Sequence, residues 1–408
     1  MKILVLDAHA PAALTVIRSL ARAGIAVDAA GEEGGFNLCF RSRFPRARTT
    51  YPSPAKSVGG FISFVSAVAA TGRYRFILPI TDRTIVPLQR FRSDWSDREG
   101  IVLPDPEALE KTLDKGQTLQ LARGLSVPIP STRFPEEEGI EAIAAGIGYP
   151  AVVKSRFSKY VSEDRLVSAP EPVFCGLAAE LRTAVGVFPA GCLVQEMVGG
   201  DGYGISVLAR EGAALAIFAH KRLREENPLG ARSSFCESIS PPPCMKDYAL
   251  RLIKALKWTG PAMVEFKWDP SDGEPILMEI NGRYWGSLPL ALASGVDFPS
   301  LHYRMLTGET FPPVDDYRVG VRARYLYADL QRLIEVWKGP PRPWLKLYPR
   351  RGEAVRDFLL GFSPRIKSFN SDWDDPLPGW TEVVRFLHKR IAHSAKGIAP
   401  DKQKAHSA

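Results

Sequence analysis

Two short segments constrain this chain more than anything else in it: Val264-Glu265-Phe266-Lys267-Trp268-Asp269 and Met278-Glu279-Ile280-Asn281-Gly282-Arg283. Each alternates apolar and polar residues, the period of a half-buried β-strand. In the second, Met278 and Ile280 are expected to face a core, leaving Glu279, Asn281 and Arg283 on the other face. In the first, Glu265 and Lys267 form the polar face opposite Val264, Phe266 and Trp268. The turn-rich stretch from Asp269 to Pro275 predicts a hairpin between them. Two carboxylates and an amide then sit beside an arginine on rigid backbone. Hard oxygen donors of this kind suit Mg²⁺ held between protein and nucleotide phosphates, and a planar guanidinium complements phosphate charge. Taken alone, a solvated strand face carrying charges reads the same way.

The 408 residues, 45% hydrophobic, have room for two or three domains. Asp7 interrupts the opening apolar run too soon for a signal peptide, and no apolar run approaches membrane-spanning length. Five cysteines, Cys39, Cys175, Cys192, Cys236 and Cys244, are odd in number and form no C-x-x-C pair. Reduced thiols, no zinc site and a cytoplasmic location are therefore expected. The net charge of +8 is concentrated from Val321 onward, where 17 Lys and Arg stand against 9 Asp and Glu.

The first part of the chain reads as β-α-β. Ile3 to Leu6 is a buried strand, Pro11 to Gly24 a helix with proline at its start and glycine at its end, and Ile25 to Asp28 the start of a second strand. A helix from Gly60 to Ala70 and a strand from Phe76 to Ile80 continue the alternation, which argues for a parallel, doubly wound sheet. The first strand-to-helix turn, holding His9, lacks G-x-G-x-x-G, so no dinucleotide is indicated. A single helix is expected from Glu107 to Arg123. Further on come a helix near Ile140 to Gly146, strands at Ala151–Ser155 and Leu193–Val198, and a glycine-rich stretch at 199–204. Strands at Ile205–Ala209 and Ala213–His220 and a helix near Lys246 to Leu256 lead into the hairpin.

The order of Lys115, Lys154 after three apolar residues, Gln195-Glu196-Met197-Val198, Glu265 and Glu279-x-Asn281-x-Arg283 resembles the ATP-grasp superfamily, nearest its carboxylate–amine ligase and carbamoyl-phosphate-synthase-like members. The resemblance covers about Met1 to Pro313. It implies a Rossmann-like α/β domain (1–105), a two-subdomain ATP-grasp region (106–313) with a lid-like part at about 125–198, and a basic, partly helical extension (314–408). It also implies ATP and Mg²⁺ as cofactors, with Mn²⁺ an alternative. Lys115 and Lys154 would contact phosphates. Glu196 and the backbone of Met197 and Val198 would bind the adenosine, and Asp201, among glycines, the ribose. Glu265, Glu279 and Asn281 would hold metal. Arg283 and Arg222 would stabilise the transferring phosphoryl group.

The activity implied is ATP-dependent coupling of a small carboxylate to an amine through an acyl phosphate, releasing ADP and phosphate. Phosphoryl transfer or thioester formation on another acceptor keeps the same site, and a regulatory, membrane-associated nucleotide binder needs fewer metal ligands. The loop after Lys154 reads Ser155-Arg156-Phe157-Ser158-Lys159-Tyr160 rather than a glycine-rich run, which assigns phosphate coverage to Arg156, Ser158 or Lys159. The polar stretch at 223–236 has the character of a second cover. Lys267, His220, Lys221 and Trp285 read equally as a salt-bridge partner, strand residues and core packing.

In the extension, Thr381 to about Ser394 is expected to form a helix with Val384, Leu387 and Ile391 on one face beside Arg385, Lys389 and Arg390. Such a helix packs on its own protein or lies on an anionic membrane. Residues after Ala395 read as disordered. A homodimer fits the family resemblance, and nothing in the motifs indicates nucleic acid.

Overall fold

The computed structural model describes residues 2–95, 100–271, 273–345 and 347–395, and side chains in the last helix through residue 388. The expected disorder after Ala395 and the face contributed by Lys389, Arg390 and Ile391 fall outside what is described.

The first domain is a four-stranded parallel sheet in the order β3-β2-β1-β4. It is built from β1 (Lys2–Val5), α1 (Pro11–Arg22), β2 (Val27–Glu32), β3 (Arg48–Tyr51), α2 (Val58–Ala70), β4 (Tyr74–Leu78) and α3 (Asp82–Arg90). Pro11 opens α1 and Gly24 follows its end with φ +79°, a conformation glycine adopts without strain. The alternation thus forms the expected doubly wound sheet, with β3 and α3 in addition. Thr81 caps α3 by accepting from the Arg83 N–H, which places Asp82 and Arg83 at the carboxyl edge of the sheet.

The single helix expected over 107–123 is two: α4 (Pro106–Leu113) and α5 (Lys115–Gly124). Asp114 breaks them apart. Its backbone is extended, and its carboxylate accepts from the Gly116 N–H (2.8 Å), capping α5. Continuous apolar spacing hides such a break, because the cap residue occupies only one position.

A smaller body follows: β5 (Thr132–Arg133), α6 (Pro135–Glu138), α7 (Ile140–Gly146), β6 (Ala151–Ser155), β7 (Lys159–Ser162), β8 (Arg165–Ser168), β9 (Val173–Cys175), α8 (Ala178–Val185) and β10 (Cys192–Glu196). Its sheet runs β5-β10-β6-β9, with β7 and β8 as a separate hairpin. That hairpin rests on the first domain: the Leu166 N–H donates to the Pro54 carbonyl, and Asp164 accepts from Ser57 and from the Gly59 N–H.

The largest sheet has seven strands in the order β15-β14-β11-β12-β13-β16-β17. They are β11 (Asp201–Arg210), β12 (Ala213–Glu225), β13 (Ser233–Ile239), β14 (Gly260–Trp268), β15 (Ile276–Asn281), β16 (Arg322–Arg324) and β17 (Lys367–Ser368). Helices α9 (Pro243–Ala255), α10 (Leu288–Ser294) and α11 (Phe298–Leu306) pack with it. The C-terminal residues supply β16 and β17 together with α12 (Leu326–Lys338), α13 (Arg351–Leu360) and α14 (Leu377–Ala395), so the extension is stitched into the main sheet. The expected cover at 223–236 is shorter than anticipated, since β12 continues to Glu225 and β13 begins at Ser233.

Candidate active site

The hairpin β14–β15 forms, with Glu265 directly opposite Glu279. A bulge interrupts the ladder: Phe266 faces Leu277, leaving Met278 as the extra residue. Leu277 and Ile280 are therefore the buried core residues, and Met278 lines the cleft instead of facing the core as alternation predicts. Strict period-two reading cannot see a bulge, because the inserted residue shifts the face of everything on one side of it.

The cleft has a volume of about 550 Å³ and lies between the smaller sheet and the large one. Strands β6 and β10 bring Lys154 and Glu196, with Met197 and Val198 just beyond β10. Helix α5 brings Lys115 at its first position, and β12, β14 and β15 bring Arg222, Glu265, Lys267, Glu279 and Asn281, with Arg283 just beyond. Ten of the eleven residues singled out from sequence line one cleft. Asp201 is the exception; it is not among the lining side chains and forms an ion pair with Lys221 (2.6 Å).

Asn281 Nδ2 donates to Glu265 Oε1 (2.8 Å) and Glu279 Oε1 (3.0 Å), so one amide clasps both carboxylates. Burial pushes the Glu265 carboxyl up to about 7, with Arg222 opposing and Glu279 adding to the rise. Burial acts the same way on Glu279, yet Lys115, the Asn281 amide, Lys154 and Arg283 together hold it below the usual carboxylate range. Arg222 is ion-paired to Glu265 and to Glu225 (3.0 Å). Burial alone would lower it, but those carboxylates keep it above the usual arginine value. Burial, with Lys115 nearby, brings Lys154 down to about 8, partly offset by Glu279.

The donor set fits a hard divalent cation. Two carboxylates converge on one point, and among the described residues no three His, Cys, Asp or Glu groups form a cage of their own. A cation sharing its shell with phosphate oxygens needs only one or two protein carboxylates. Glu265 and Glu279 would supply them. Asn281 presents its nitrogen to both, so its oxygen could ligate only after the amide turned over.

The loop after Lys154 is arranged differently from expectation. Arg156 turns away from the cleft to pair with Asp114 (2.8 Å) and Glu136 (3.1 Å). Lys159 donates to Ser168 across the β7–β8 hairpin (2.7 Å). Phe157 and Ser158 reach the cleft, and Lys115 Nζ donates to Ser158 Oγ (2.7 Å). The residues 169–172 add a wall that no sequence motif signalled. Lys267 donates to the Val198 carbonyl (3.2 Å), bracing the strand end where adenine recognition was expected. His220 bonds Ser287 (3.1 Å) and burial pushes it down to about 3, so it is a neutral core histidine. Trp285 is fully buried and forms part of the cleft floor.

Asp82 was not among the sequence candidates. Its Oδ1 accepts from Arg283 Nε (2.8 Å), tying the end of the hairpin to the first domain. The Thr81-Asp82 pair directly after an apolar strand is a helix-start signal, the one local sign that a polar helix terminus stands at this sheet edge.

A family model described as ATP-grasp in the biosynthetic pathway with Ter operon matches residues 189–328. Among solved structures, biotin carboxylase from Campylobacter jejuni superposes with a TM-score of 0.62 at 15% identity, covering 79% of this chain and 74% of that one. N5-carboxyaminoimidazole ribonucleotide synthetase from Thermus thermophilus gives 0.59 at 15% identity, covering 77% and 80%. L-amino acid ligase from Bacillus licheniformis gives 0.56 at 16% identity, covering 75% and 74%. With its leading parallel-sheet domain and a cleft between two further sheets, the chain has the ATP-grasp fold.

Proposed function

We propose that this chain is an ATP-dependent ligase that joins a small-molecule carboxylate to an amine. In the proposed reaction a carboxylate oxygen displaces ADP from the γ-phosphorus. The amine then attacks the acyl carbon, phosphate leaves, and the nitrogen gives up a proton. The observation that carries this reading is the convergence of Lys115, Lys154, Glu265, Glu279, Asn281 and Arg283, from separate stretches of chain, on one cleft. Such chemistry is mostly positioning and charge stabilisation, which is what these groups offer.

Mg²⁺ held by Glu265 and Glu279 would neutralise phosphate charge when bound. Lys154 from β6 and Lys115 from the start of α5 bind phosphate oxygens as point charges. Glu196 and the backbone of Met197 and Val198 orient the base. Arg283, steadied by Asp82, meets charge on the transferring group, and Arg222 balances Glu265 from the other side. The walls at 169–172 and 229–232 restrict water access to the reacting atoms.

The test is ADP and phosphate release from Mg-ATP with pooled amino acids and small carboxylates, for wild type and Glu279→Ala. Release that requires the pool and falls by on the order of 10²-fold or more in the variant supports the ligase. Release that requires no amine moves the acceptor to another class, and nucleotide binding without release under any pool removes the catalytic reading.

A further inference from the structure

Eleven of the fifteen exposed large apolar side chains among the described residues fall between Trp337 and Leu387. Four of them, Leu377, Trp380, Val384 and Leu387, recur at intervals of three and four along α14 and form one stripe, between 50% and 66% exposed. Trp373, just before the helix, is fully exposed. The helix docks on the protein through its other side: Glu382 accepts from Tyr325 (2.6 Å) and Asn370 (2.5 Å), and Phe386 packs edge-on against Tyr327. Val384 and Leu387, from the face expected either to pack on the protein or to lie on a membrane, are thus turned outward.

Charge says what covers it. Four acidic groups of the extension are engaged internally: Asp372 and Asp374 with Arg22, Asp375 with Arg18, and Asp329 with Arg224 and Arg324. The sequence from 385 to 404 adds six Lys and Arg against a single Asp. At the end of α13, exposed Leu359, Leu360 and Phe362 are followed by exposed Arg365 and Lys367. A two-fold contact between copies would set this positive extension against itself. An anionic lipid surface satisfies both features at once, taking Trp and Leu into the headgroup boundary while its charge attracts the basic segment. We propose that α14 lays its Leu377–Trp380–Val384–Leu387 stripe on an anionic membrane. Among the described residues no helix is long and apolar enough to cross one, so the contact is peripheral.

The test is sedimentation of the full chain with vesicles of phosphatidylcholine, with and without phosphatidylserine. Binding at least about tenfold tighter to the anionic vesicles, weakened by salt and accompanied by a blue shift of tryptophan emission, is expected. Trp380→Ser with Leu387→Ser should weaken it about tenfold or more while leaving the melting temperature unchanged. Lys389→Glu with Arg390→Glu, which leaves the stripe intact, should abolish the preference for phosphatidylserine. Equal binding to both vesicles, no binding to either, or wild-type binding by both variants overturns the proposal. So does a concentration-dependent dimer, seen by light scattering and lost in the serine variant, because the stripe would then belong to a second copy. None of these readouts depends on nucleotide turnover.

Discussion

Arg283 Nε and Asp82 Oδ1, 201 residues apart in sequence, meet at 2.8 Å across the junction of the first domain and the large sheet. Burial would raise the aspartate, but Arg283 beside it holds it below the usual range. We predict that Asp82→Ala leaves nucleotide affinity within about threefold, because Lys115 and Lys154 are untouched, while turnover falls about ten- to a hundredfold as Arg283 loses its orientation. Stability should drop by about 1–2 kcal/mol, less than for a fully buried pair since both side chains keep some solvent contact. Adding Arg283→Met should restore the stability but not the turnover. Thermal melts and ADP release on the two single variants and the double variant check this, and additive losses of stability would remove the coupling.

Lys154 offers a test with a definite sign. Its folded pKa of about 8 lies below the ordinary 10.5. Between those values the unfolded chain binds a proton that the folded chain does not, so this group's contribution to stability rises with pH across that window. Below about pH 8 the cost of burying the ammonium is fully present. Lys154→Met should therefore be more stable than wild type at pH 7 by roughly 1–3 kcal/mol, with the difference closing toward pH 10.5, while nucleotide binding is lost. Lys115 and Arg283 remain to balance Glu279 in the variant. Denaturant melts at pH 7 and pH 10 decide the matter; a variant less stable than wild type at pH 7 contradicts it.

Gly282 separates Asn281 from Arg283 for reasons of space. A Cβ there would come within 2.5 Å of the fully buried Trp258 ring and 2.7 Å of Thr112 Oγ1. Gly282→Ala should cost about 1–3 kcal/mol through overpacking. It should also depress turnover more than Gly286→Ala, where a Cβ meets open space. Comparable losses in both variants would show that the strain is not what places Arg283.

The first domain and the β14–β15 hairpin were legible because both rest on short-range periodicity. What escaped were features made by single residues or by chain segments far apart. Asp114 divides α4 from α5 without disturbing their apolar spacing. Met278 shifts faces through one extra residue in the ladder. Arg156 has the composition of a phosphate contact, but its partners Asp114 and Glu136 lie 42 and 20 residues away and draw it out of the cleft. Asp201 sits in a glycine-rich run shortly after the strand expected to meet adenosine, yet at the start of β11 it pairs with Trp268 of β14, and Lys221 claims its carboxylate. Local pattern finds which residues a site draws on; it does not reveal which of them another charge has already taken.

Asp329 shows how firmly the extension is joined to the large sheet. The carboxylate is 1% exposed and receives Arg224 from β12 (2.9 and 2.7 Å), Arg324 from β16 (2.7 Å) and the Ser234 hydroxyl from β13 (3.1 Å). Replacing it strands two guanidinium groups against one another in a site with little water. We predict that Asp329→Ala costs about 3–5 kcal/mol and lowers Tm by on the order of 10 °C. Asp329→Asn, which keeps the shape and one acceptor, should cost less. The Arg224–Asp329 pair follows Arg222 by two residues on the same strand, so the loss should reach the cleft as well. Turnover in Asp329→Ala should fall even at temperatures where the variant is fully folded by circular dichroism. Unchanged turnover at such a temperature would confine the network to stability and separate the extension from the chemistry.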